Sequence, residues 1–292
     1  MTFRTFTLVA ALTAPALFAQ SNTPQEENNL KLGMDWKREV VFAGHLELAS
    51  KYMAPDYAEH NLNVSKPGLA GFVEYYTAKK TGSPALRALP AAPAQTFAKG
   101  DYVVMAWTHD DVDSTGKQFQ YNSYDVLRVQ NGKIQEHWDD KPKTESTTPS
   151  VTTVSTFPQF ENTADEQKSE DVVIGLYRDV LQYHHFELAS KYVAANYIQH
   201  NYTDPQGRDP LMEHIQRERP SEPEPLQPQM KNRPQLIVTK GNVTLMMTTR
   251  QAKDPSDASK TYPFNHFEMV RVESGFAQEH WDSSIGPGGK RQ

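Results

Sequence analysis

One four-residue motif, the phrase Glu-His-Trp-Asp, occurs twice in the chain, at residues 136–139 and 279–282. Each copy ends a similar run that starts with an asparagine, and the distance from that asparagine to the final aspartate is 17 positions in both copies (139 − 122 and 282 − 265). Nearer the start of each half, the sequence Glu-Leu-Ala-Ser-Lys-Tyr recurs at 47–52 and 187–192, an offset of 140. Two matches in the same order indicate a tandem duplication of one domain.

The repeats set the domain boundaries. We predict a first domain at residues 28–143, a linker at 144–168 and a second domain at 169–285. The linker is rich in Thr, Ser, Pro and charged residues, which have little apolar surface to offset the entropy of ordering. A chain of 292 residues that is 37% hydrophobic is long enough for two such cores.

The order of elements within each half predicts an α+β fold. Apolar residues recur at helical spacing near the start of each half, for example Leu69, Phe72, Val73 and Tyr76. Strand-like runs of β-branched and aromatic residues follow and continue to the end of the repeat. Helices first and antiparallel strands afterwards is unlike the alternation of a parallel α/β fold.

The first residues have the features of a secretory signal peptide. Arg4 supplies a positive charge, residues 6–18 are mostly apolar, and Ala19 offers a cleavage point. We therefore predict a signal peptide at 1–19 and a secreted or periplasmic protein. The chain contains no cysteine, so disulfides and thiolate chemistry are excluded.

Charge and hydropathy exclude two classes of partner. The net charge of −6 gives no support for nucleic acid or an anionic membrane surface, since either favours a basic patch. Beyond the signal segment no run of 18 apolar residues is present, so we predict no membrane span. A small-molecule ligand is the expected partner.

The residue spacing that the two halves share is similar to that of a known family. The pattern Asp125-x-x-Arg128-x-x-x-Gly132 through Asp139, preceded by Tyr57-x-x-His60-Asn61, resembles the SnoaL-like polyketide cyclase group of the nuclear transport factor 2-like superfamily. The second half matches at most of these positions but has Glu268 in place of the aspartate. The resemblance implies a cone in each half, in which a curved antiparallel sheet wraps around helices. It also implies that the two sheets pack together as an intramolecular pseudo-dimer.

The turn between the last two strands predicts which side chains share a face. If Asn131 and Gly132 form a two-residue hairpin turn, Val129 pairs with Ile134 and Asp125 with Trp138. The more apolar face, which we expect to turn inward, then carries Tyr121, Ser123, Asp125, Leu127, Val129, Ile134, Glu136 and Trp138. The outer face carries Asn122, Tyr124, Arg128, His137 and Asp139, and Arg128 is expected to pair with Asp139, as Arg271 with Asp282.

Two inward carboxylates predict acid/base chemistry. Asp125 and Glu136 would compete for ionisation inside an apolar cone, so that one keeps its proton near neutral pH. The resemblance implies that Asp125, with Glu268 as its counterpart, does the acid/base work of an aldol-type cyclisation or isomerisation on a carbonyl compound, without metal or cofactor. His60 and His200 would orient it, and Glu136 and Glu279 would tune its proton affinity. The expected ligand contacts are Tyr121, Trp138, Trp281, Asn61 and Asn201. The first half, which keeps the aspartate, is the expected catalytic half.

Other interpretations stay open. His60, His137, Glu136 and Asp139 form a possible metal set, although strand alternation places His137 and Glu136 on opposite faces. The histidines and tryptophans of the repeat also suit a buried structural role. Finally, an exported pair of cones suits a binding module that holds an apolar compound without transforming it.

Overall fold

The computed structural model of the chain describes residues 22–82, 93–113, 115–144, 148–151 and 156–283. The predicted signal peptide at 1–19 lies outside these residues. Within them, no helix is both long and apolar enough to cross a membrane.

In the part of the first half that the structure describes, three α-helices are followed by or interleaved with five strands. Its helices are α1 (Pro24–Trp36), α2 (Ala49–Tyr52) and α3 (Gly68–Gly82), with a π-helical turn at Lys37–Phe42 and a 3-10 turn at Leu46–Leu48. Its strands are β1 (Met53–Glu59), β2 (Gln95–Lys99), β3 (Tyr102–Val112), β4 (Gln118–Gln130) and β5 (Lys133–Asp139). The sheet order is β1-β5-β4-β3-β2, and only the pairing of β1 with β5 is parallel.

The second half repeats this architecture. Its helices are α4 (Ala164–Gly175), α5 (Ala189–Tyr192) and α6 (Arg208–Glu218), with a π-helical turn at Leu176–Gln182 and a 3-10 turn at Phe186–Leu188. Its strands are β6 (Val193–Gln199), β7 (Leu236–Lys240), β8 (Val243–Asp254), β9 (Asp257–Glu273) and β10 (Phe276–Asp282). The order β6-β10-β9-β8-β7 is the same, which confirms the α+β fold of two tandem cones. We call the sheet and helices of each half the first cone and the second cone.

Both cones begin with the same helix-capping device. Thr23 caps α1 and Thr163 caps α4, and in each case a glutamate three residues on returns a hydrogen bond to the capping residue. Because of this capping box, α4 begins at Ala164, five residues ahead of the predicted domain start at 169 (169 − 164).

The two sheets pack against each other through a shared apolar core. This core takes Tyr124, Val126 and Trp138 from the first cone and Phe267, Met269 and Trp281 from the second, among others. Separate cores lie between each sheet and its own helices. Each sheet is therefore buried on both faces.

Reciprocal ion pairs at the edge of the interface show its two-fold character. Glu26 of the first cone pairs with Lys240 of the second at 2.8 Å, and Lys99 of the first pairs with Glu166 of the second at 2.9 Å. The same two positions thus meet twice with exchanged partners, as in an isologous dimer interface. This is the arrangement of an intramolecular pseudo-dimer.

Candidate functional site

The hairpin of β4 and β5 contains a bulge that changes the predicted faces. Val129 pairs with Ile134 as expected, but Arg128 pairs with Glu136, so Gln135 is an extra residue in β5. Beyond the bulge the register is shifted by one, and Asp125 lies opposite Asp139 rather than Trp138. The second cone has the same irregularity between Ala277 and Glu279. A shift of one residue moves every later side chain of a strand to the other face.

The predicted inward face is therefore wrong for the end of β5. Glu136 and Trp138 face the other sheet, whereas His137 and Asp139 face the helices. Trp138 and Trp281 belong to the core between the sheets, so they do not contact a ligand inside either cone. The predicted pairing of Arg128 with Asp139 is also wrong, because Arg128 Nε donates to Glu136 Oε2 at 3.0 Å. Arg271 likewise donates to Glu279, at 2.8 Å, rather than to Asp282.

His60 and His200 lie with these outward residues. His60 stacks on Trp138 with ring centres 4.9 Å apart, and its Nε2 lies 2.8 Å from Glu136 Oε1. His200 repeats both contacts, at 4.8 Å from Trp281 and 2.7 Å from Glu279. Neither histidine touches the carboxylate it was expected to orient. Burial opposes ionisation of Glu136 and Glu279, but bonds from these histidines and the neighbouring arginines lower the pKa of both.

Asp125 is buried in the first cone and fully occupied by donors. Lys37 Nζ lies 2.6 Å from Oδ2 and 2.8 Å from Oδ1, His137 Nε2 lies 2.9 Å from Oδ1, and Trp107 Nε1 donates to Oδ2 at 3.0 Å. Burial raises the cost of its charge, yet Lys37 and His137 outweigh that cost and lower the pKa of Asp125. Asp125 is a carboxylate held in an ion pair, which does not suit a proton donor.

The rest of this polar cluster is balanced in charge as well. His137 Nδ1 lies 3.0 Å from Glu59, and although burial disfavours the imidazolium, Glu59 and Asp125 raise the pKa of His137 to about 10. Asn61 donates to Asp139 at 2.8 Å, and Lys141 Nζ lies 3.4 Å from the same carboxylate. Two lysines of the chain thus supply cations inside the first cone.

The second cone contains a cavity of about 670 Å³ between its sheet and its helices. The apolar part of its wall includes Leu181, Phe186, Leu211, Met212, Ile215 and Phe264. The polar part includes Tyr177, Gln199, Asn201, Arg250, His266, Glu268, His280 and Asp282. Such a mixed wall is typical of a site for a small organic ligand.

Glu268 occupies the centre of the polar wall and is ionised. Its Oε1 accepts from Arg250 at 2.8 Å and lies 3.0 Å from His266 Nε2, while its Oε2 accepts from Tyr177 at 3.0 Å and lies 2.8 Å from His280 Nε2. Burial opposes the charge, but the two histidines outweigh it and hold the pKa of Glu268 well below its usual range.

Asp282 is the opposite case. Its Oδ2 accepts from Asn201 at 2.9 Å, but its buried Oδ1 has no hydrogen-bond partner. The side chain is 8% exposed and lines the cavity. Burial is the main reason why the pKa of Asp282 is raised, and the nearby charge of Glu268 adds to it. Two carboxyl groups that line the cavity therefore have pKa values shifted in opposite directions.

Single substitutions between the halves explain why their interiors differ. Lys37 corresponds to Tyr177 (177 − 37 = 140), so the cation that pairs with Asp125 is a phenol in the second cone. Strand pairing aligns Trp107 and Ser123 with Thr248 and His266, since the two pairs are register partners in equivalent strands. The indole that contacts Asp125 is thereby replaced by a small side chain.

Of the predicted contact residues, Asn201 lines the cavity and Asn61 bonds Asp139 inside the first cone. Tyr121 instead stacks on His109 at 4.8 Å, away from Asp125. Sequence reasoning missed Tyr177, His266 and Asp282. Alignment of the two halves position by position could have found the first two, because both differ in charge or size from their counterparts.

One group in the described part of the chain has the composition of a metal site. Ligand atoms of Glu268, His280 and Asp282 lie within 4.8 Å of one another. Both oxygens of Glu268 are already engaged by donors, among them the cationic Arg250, and His280 Nδ1 lies 3.0 Å from Gln199 Oε1. A metal ion there would have to displace donors of Glu268, and the charge of Arg250 on that carboxylate opposes a second cation. The set predicted from sequence is split, because His60 and Glu136 lie on the opposite side of the sheet from His137 and Asp139.

Comparison with known proteins supports the resemblance read from the repeat. The family model described as SnoaL-like polyketide cyclase matches residues 32–141, which confirms the resemblance over that segment. No curated protein matches the chain.

Among solved structures, a putative polyketide cyclase from Acidithiobacillus ferrooxidans is similar at 23% identity, covering 38% of this chain and 86% of that one with a TM-score of 0.30. A putative SnoaL-like polyketide cyclase from Jannaschia sp. CCS1 is similar at 16% identity, covering 41% and 91% with a TM-score of 0.32. IdmH, a putative polyketide cyclase from Streptomyces antibioticus, is similar at 21% identity, covering 38% and 89% with a TM-score of 0.30.

Proposed function

We propose that the second cone binds a small, largely apolar carbonyl compound and moves a proton next to its carbonyl group, and that the first cone is a structural partner. The observation that carries the proposal is the buried, unpartnered Oδ1 of Asp282 in the wall of the 670 Å³ cavity. Burial also raises the pKa of the equivalent group of the first cone, Asp139, but both of its oxygens accept hydrogen bonds, Oδ2 from Asn61 and Oδ1 from the backbone N–H of Lys141.

The two carboxyl groups of the cavity have different roles in this proposal. Asp282 exchanges a proton with the ligand through its unpartnered Oδ1, and its raised pKa brings that exchange closer to neutral pH, as an acid and as a base once the proton has left. Glu268 stays ionised and keeps His266 and His280 in place. Pairs of titratable groups whose pKa values are driven apart commonly divide acid/base work in this way.

His266 adds a second group that reaches the ligand. Within the described residues the only hydrogen-bond partner of its ring is Glu268, and the ring lines the cavity. A histidine oriented by a carboxylate through one nitrogen can exchange a proton at the other. Proton removal beside the carbonyl and its return at another atom would give isomerisation, and attack of the resulting enolate on a second carbonyl would give ring closure.

Proton exchange with solvent tests the proposal without knowledge of the natural substrate. We would incubate 2-tetralone with the protein in D₂O and follow loss of its α-proton signals by NMR. Asp282→Asn should reduce the protein-dependent rate by roughly 100-fold or more, the usual contribution of a positioned acid/base. His266→Ala should also reduce it, whereas Ser123→Ala, the matched change in the first cone, should not.

Infrared spectroscopy gives an independent readout. A protonated Asp282 should produce a carboxylic-acid carbonyl band that is missing in Asp282→Asn and present in Ser123→Ala. Absence of the band at neutral pH would refute the acid role. Tight binding of the ketone without any exchange would instead favour a binding module.

We also propose export, with removal of about the first 19 residues, from the charge and hydropathy of residues 4–19. Mass spectrometry of the mature protein tests this, and an intact N-terminus would refute it.

A further inference from the structure

His184 has a backbone conformation that glycine favours. Its φ is 63°, and the equivalent residue of the first cone is Gly44, whose φ is 73° (184 − 44 = 140). A side chain in the left-handed region is uncommon and costs free energy. Such positions cluster at functional sites, where the surroundings hold the strained residue in place. The second cone thus has an imidazole where the first cone has no side chain.

The ring of His184 lines the cavity of the second cone. It stacks on Phe186 with ring centres 6.4 Å apart. Its Nδ1 is buried, and no described residue bonds to it. The nearest carboxylate oxygen, Glu224 Oε1, is 3.7 Å away, beyond hydrogen-bond distance, and Glu224 already pairs with Lys231. Leaving a buried polar group without a hydrogen-bond partner costs free energy, so a ligand that supplies the partner would bind more tightly.

Arg219 is an exposed cation that also lines the cavity. It follows α6 directly, lines the cavity, and its guanidinium makes no ion pair or hydrogen bond with the residues that the structure describes. Five residues further on, the backbone N–H of Glu224 donates to the carbonyl of Tyr183 at 3.0 Å. The chain that leaves Arg219 therefore returns to the residue beside His184, and both side chains line the cavity.

We infer that His184 and Arg219 bind a carboxylate at the outer end of the ligand, so that the second cone takes a keto acid rather than a neutral ketone. A guanidinium presents donors in a fork that matches a carboxylate, and an imidazole N–H adds a third. The inference rests on the proposed function for the identity of the cavity. It adds the ligand's charge and the two residues that recognise it.

Matched acid and ester probes test this directly. Binding of 4-benzoylbenzoate and of its methyl ester to the full chain would be measured by isothermal titration calorimetry at neutral pH. The wild-type protein should bind the acid about tenfold or more tightly than the ester, the effect of one or two charge-assisted hydrogen bonds. His184→Gly and Arg219→Gln should each reduce that preference several-fold by weakening binding of the acid more than binding of the ester.

His184→Gly is also matched to the sequence of the first cone. Glycine adopts the observed φ without strain, so the melting temperature should equal or exceed that of the wild type. Equal affinity of the wild type for acid and ester, or failure to bind either, would overturn the inference. A lower melting temperature with an unchanged preference would overturn it too, because His184 would then serve the fold. Proton exchange on 2-tetralone that persists through these outcomes would leave the proposed function standing.

Discussion

Replacing Lys37 by methionine tests how much the buried ion pair of Lys37 with Asp125 contributes to the stability of the first cone. Lys37 Nζ lies 2.6 Å from Asp125 Oδ2, and the two side chains are only 8% and 3% exposed. Removing one partner of a buried pair usually costs about 3–5 kcal/mol, because the other charge is left uncompensated. Asp125 would keep His137 and Trp107 as donors, so we expect a loss near the lower end, about 3 kcal/mol.

The second cone offers a matched control. Tyr177 stands where Lys37 stands in the first cone, and its hydroxyl donates to Glu268 at 3.0 Å. Tyr177→Phe removes one of four donors to that carboxylate and no charge, so its cost should be about 1 kcal/mol. Unfolding by urea at pH 7, followed by circular dichroism, measures both losses.

A second substitution separates charge from packing. Asp125→Asn in the Lys37→Met background removes the unpaired charge, so the double variant should be at least as stable as Lys37→Met alone. The folded-state pKa of Asp125 is lowered, so its contribution is present above its unfolded pKa of about 3.9 and is lost as pH falls. A Lys37→Met loss below about 1 kcal/mol, or no larger than that of Tyr177→Phe, would refute the reasoning.

Three further outcomes follow from the packing and the charges. Trp138→Ala should cost about 3–5 kcal/mol by opening the core between the sheets, and Trp281→Ala a similar amount; urea midpoints check this, and a much smaller loss for either would contradict the shared core. The pKa of His137 is raised to about 10, so the stability that its charge contributes is complete below its unfolded pKa of about 6.5 and is lost as pH rises through 10. The difference in unfolding free energy between the wild type and His137→Gln should therefore shrink from pH 6.5 to pH 10. A constant difference would contradict an ionised His137. Lys240→Met leaves Glu26 as a largely buried charge without its partner, so this variant should be less stable than the double variant Lys240→Met with Glu26→Gln, in which that charge is removed. A double-mutant cycle from thermal unfolding measures the coupling energy between the two residues, and strict additivity would argue against the ion pair.

The sequence predicted the architecture because the duplication and the order of elements are both visible as patterns. It did not predict which way the end of β5 faces. The reason is the extra residue, Gln135, which shifts the register beyond the turn and has no signature in composition or periodicity. Glu136 and Trp138 were placed inside the first cone for that reason alone.

The site was predicted in part. Asp125 and Glu268 were identified as central carboxylates, and the structure buries both beside the histidine of the repeated phrase. The two interiors differ at Lys37 and Tyr177, which lie more than 80 residues from the carboxylates they meet (125 − 37 = 88 and 268 − 177 = 91). Contacts at that separation are not encoded in local sequence, so the prediction that the first half is the catalytic one rested on Asp125 and its neighbours in the strand.

The burial of β5 and β10 on both faces explains why the phrase Glu-His-Trp-Asp is present in both halves although the interiors differ. Its glutamate and tryptophan build the interface between the sheets, and its histidine and aspartate build the polar wall of the cone. A strand buried on both faces has little freedom to change, since each substitution disturbs one core or the other. Positions on the helices and loops face only one interior. Lys37 against Tyr177 and Gly44 against His184 are differences of this kind, whereas Trp107 against Thr248 and Ser123 against His266 lie on strands. Both kinds change the interior of one cone while the shared interface stays intact.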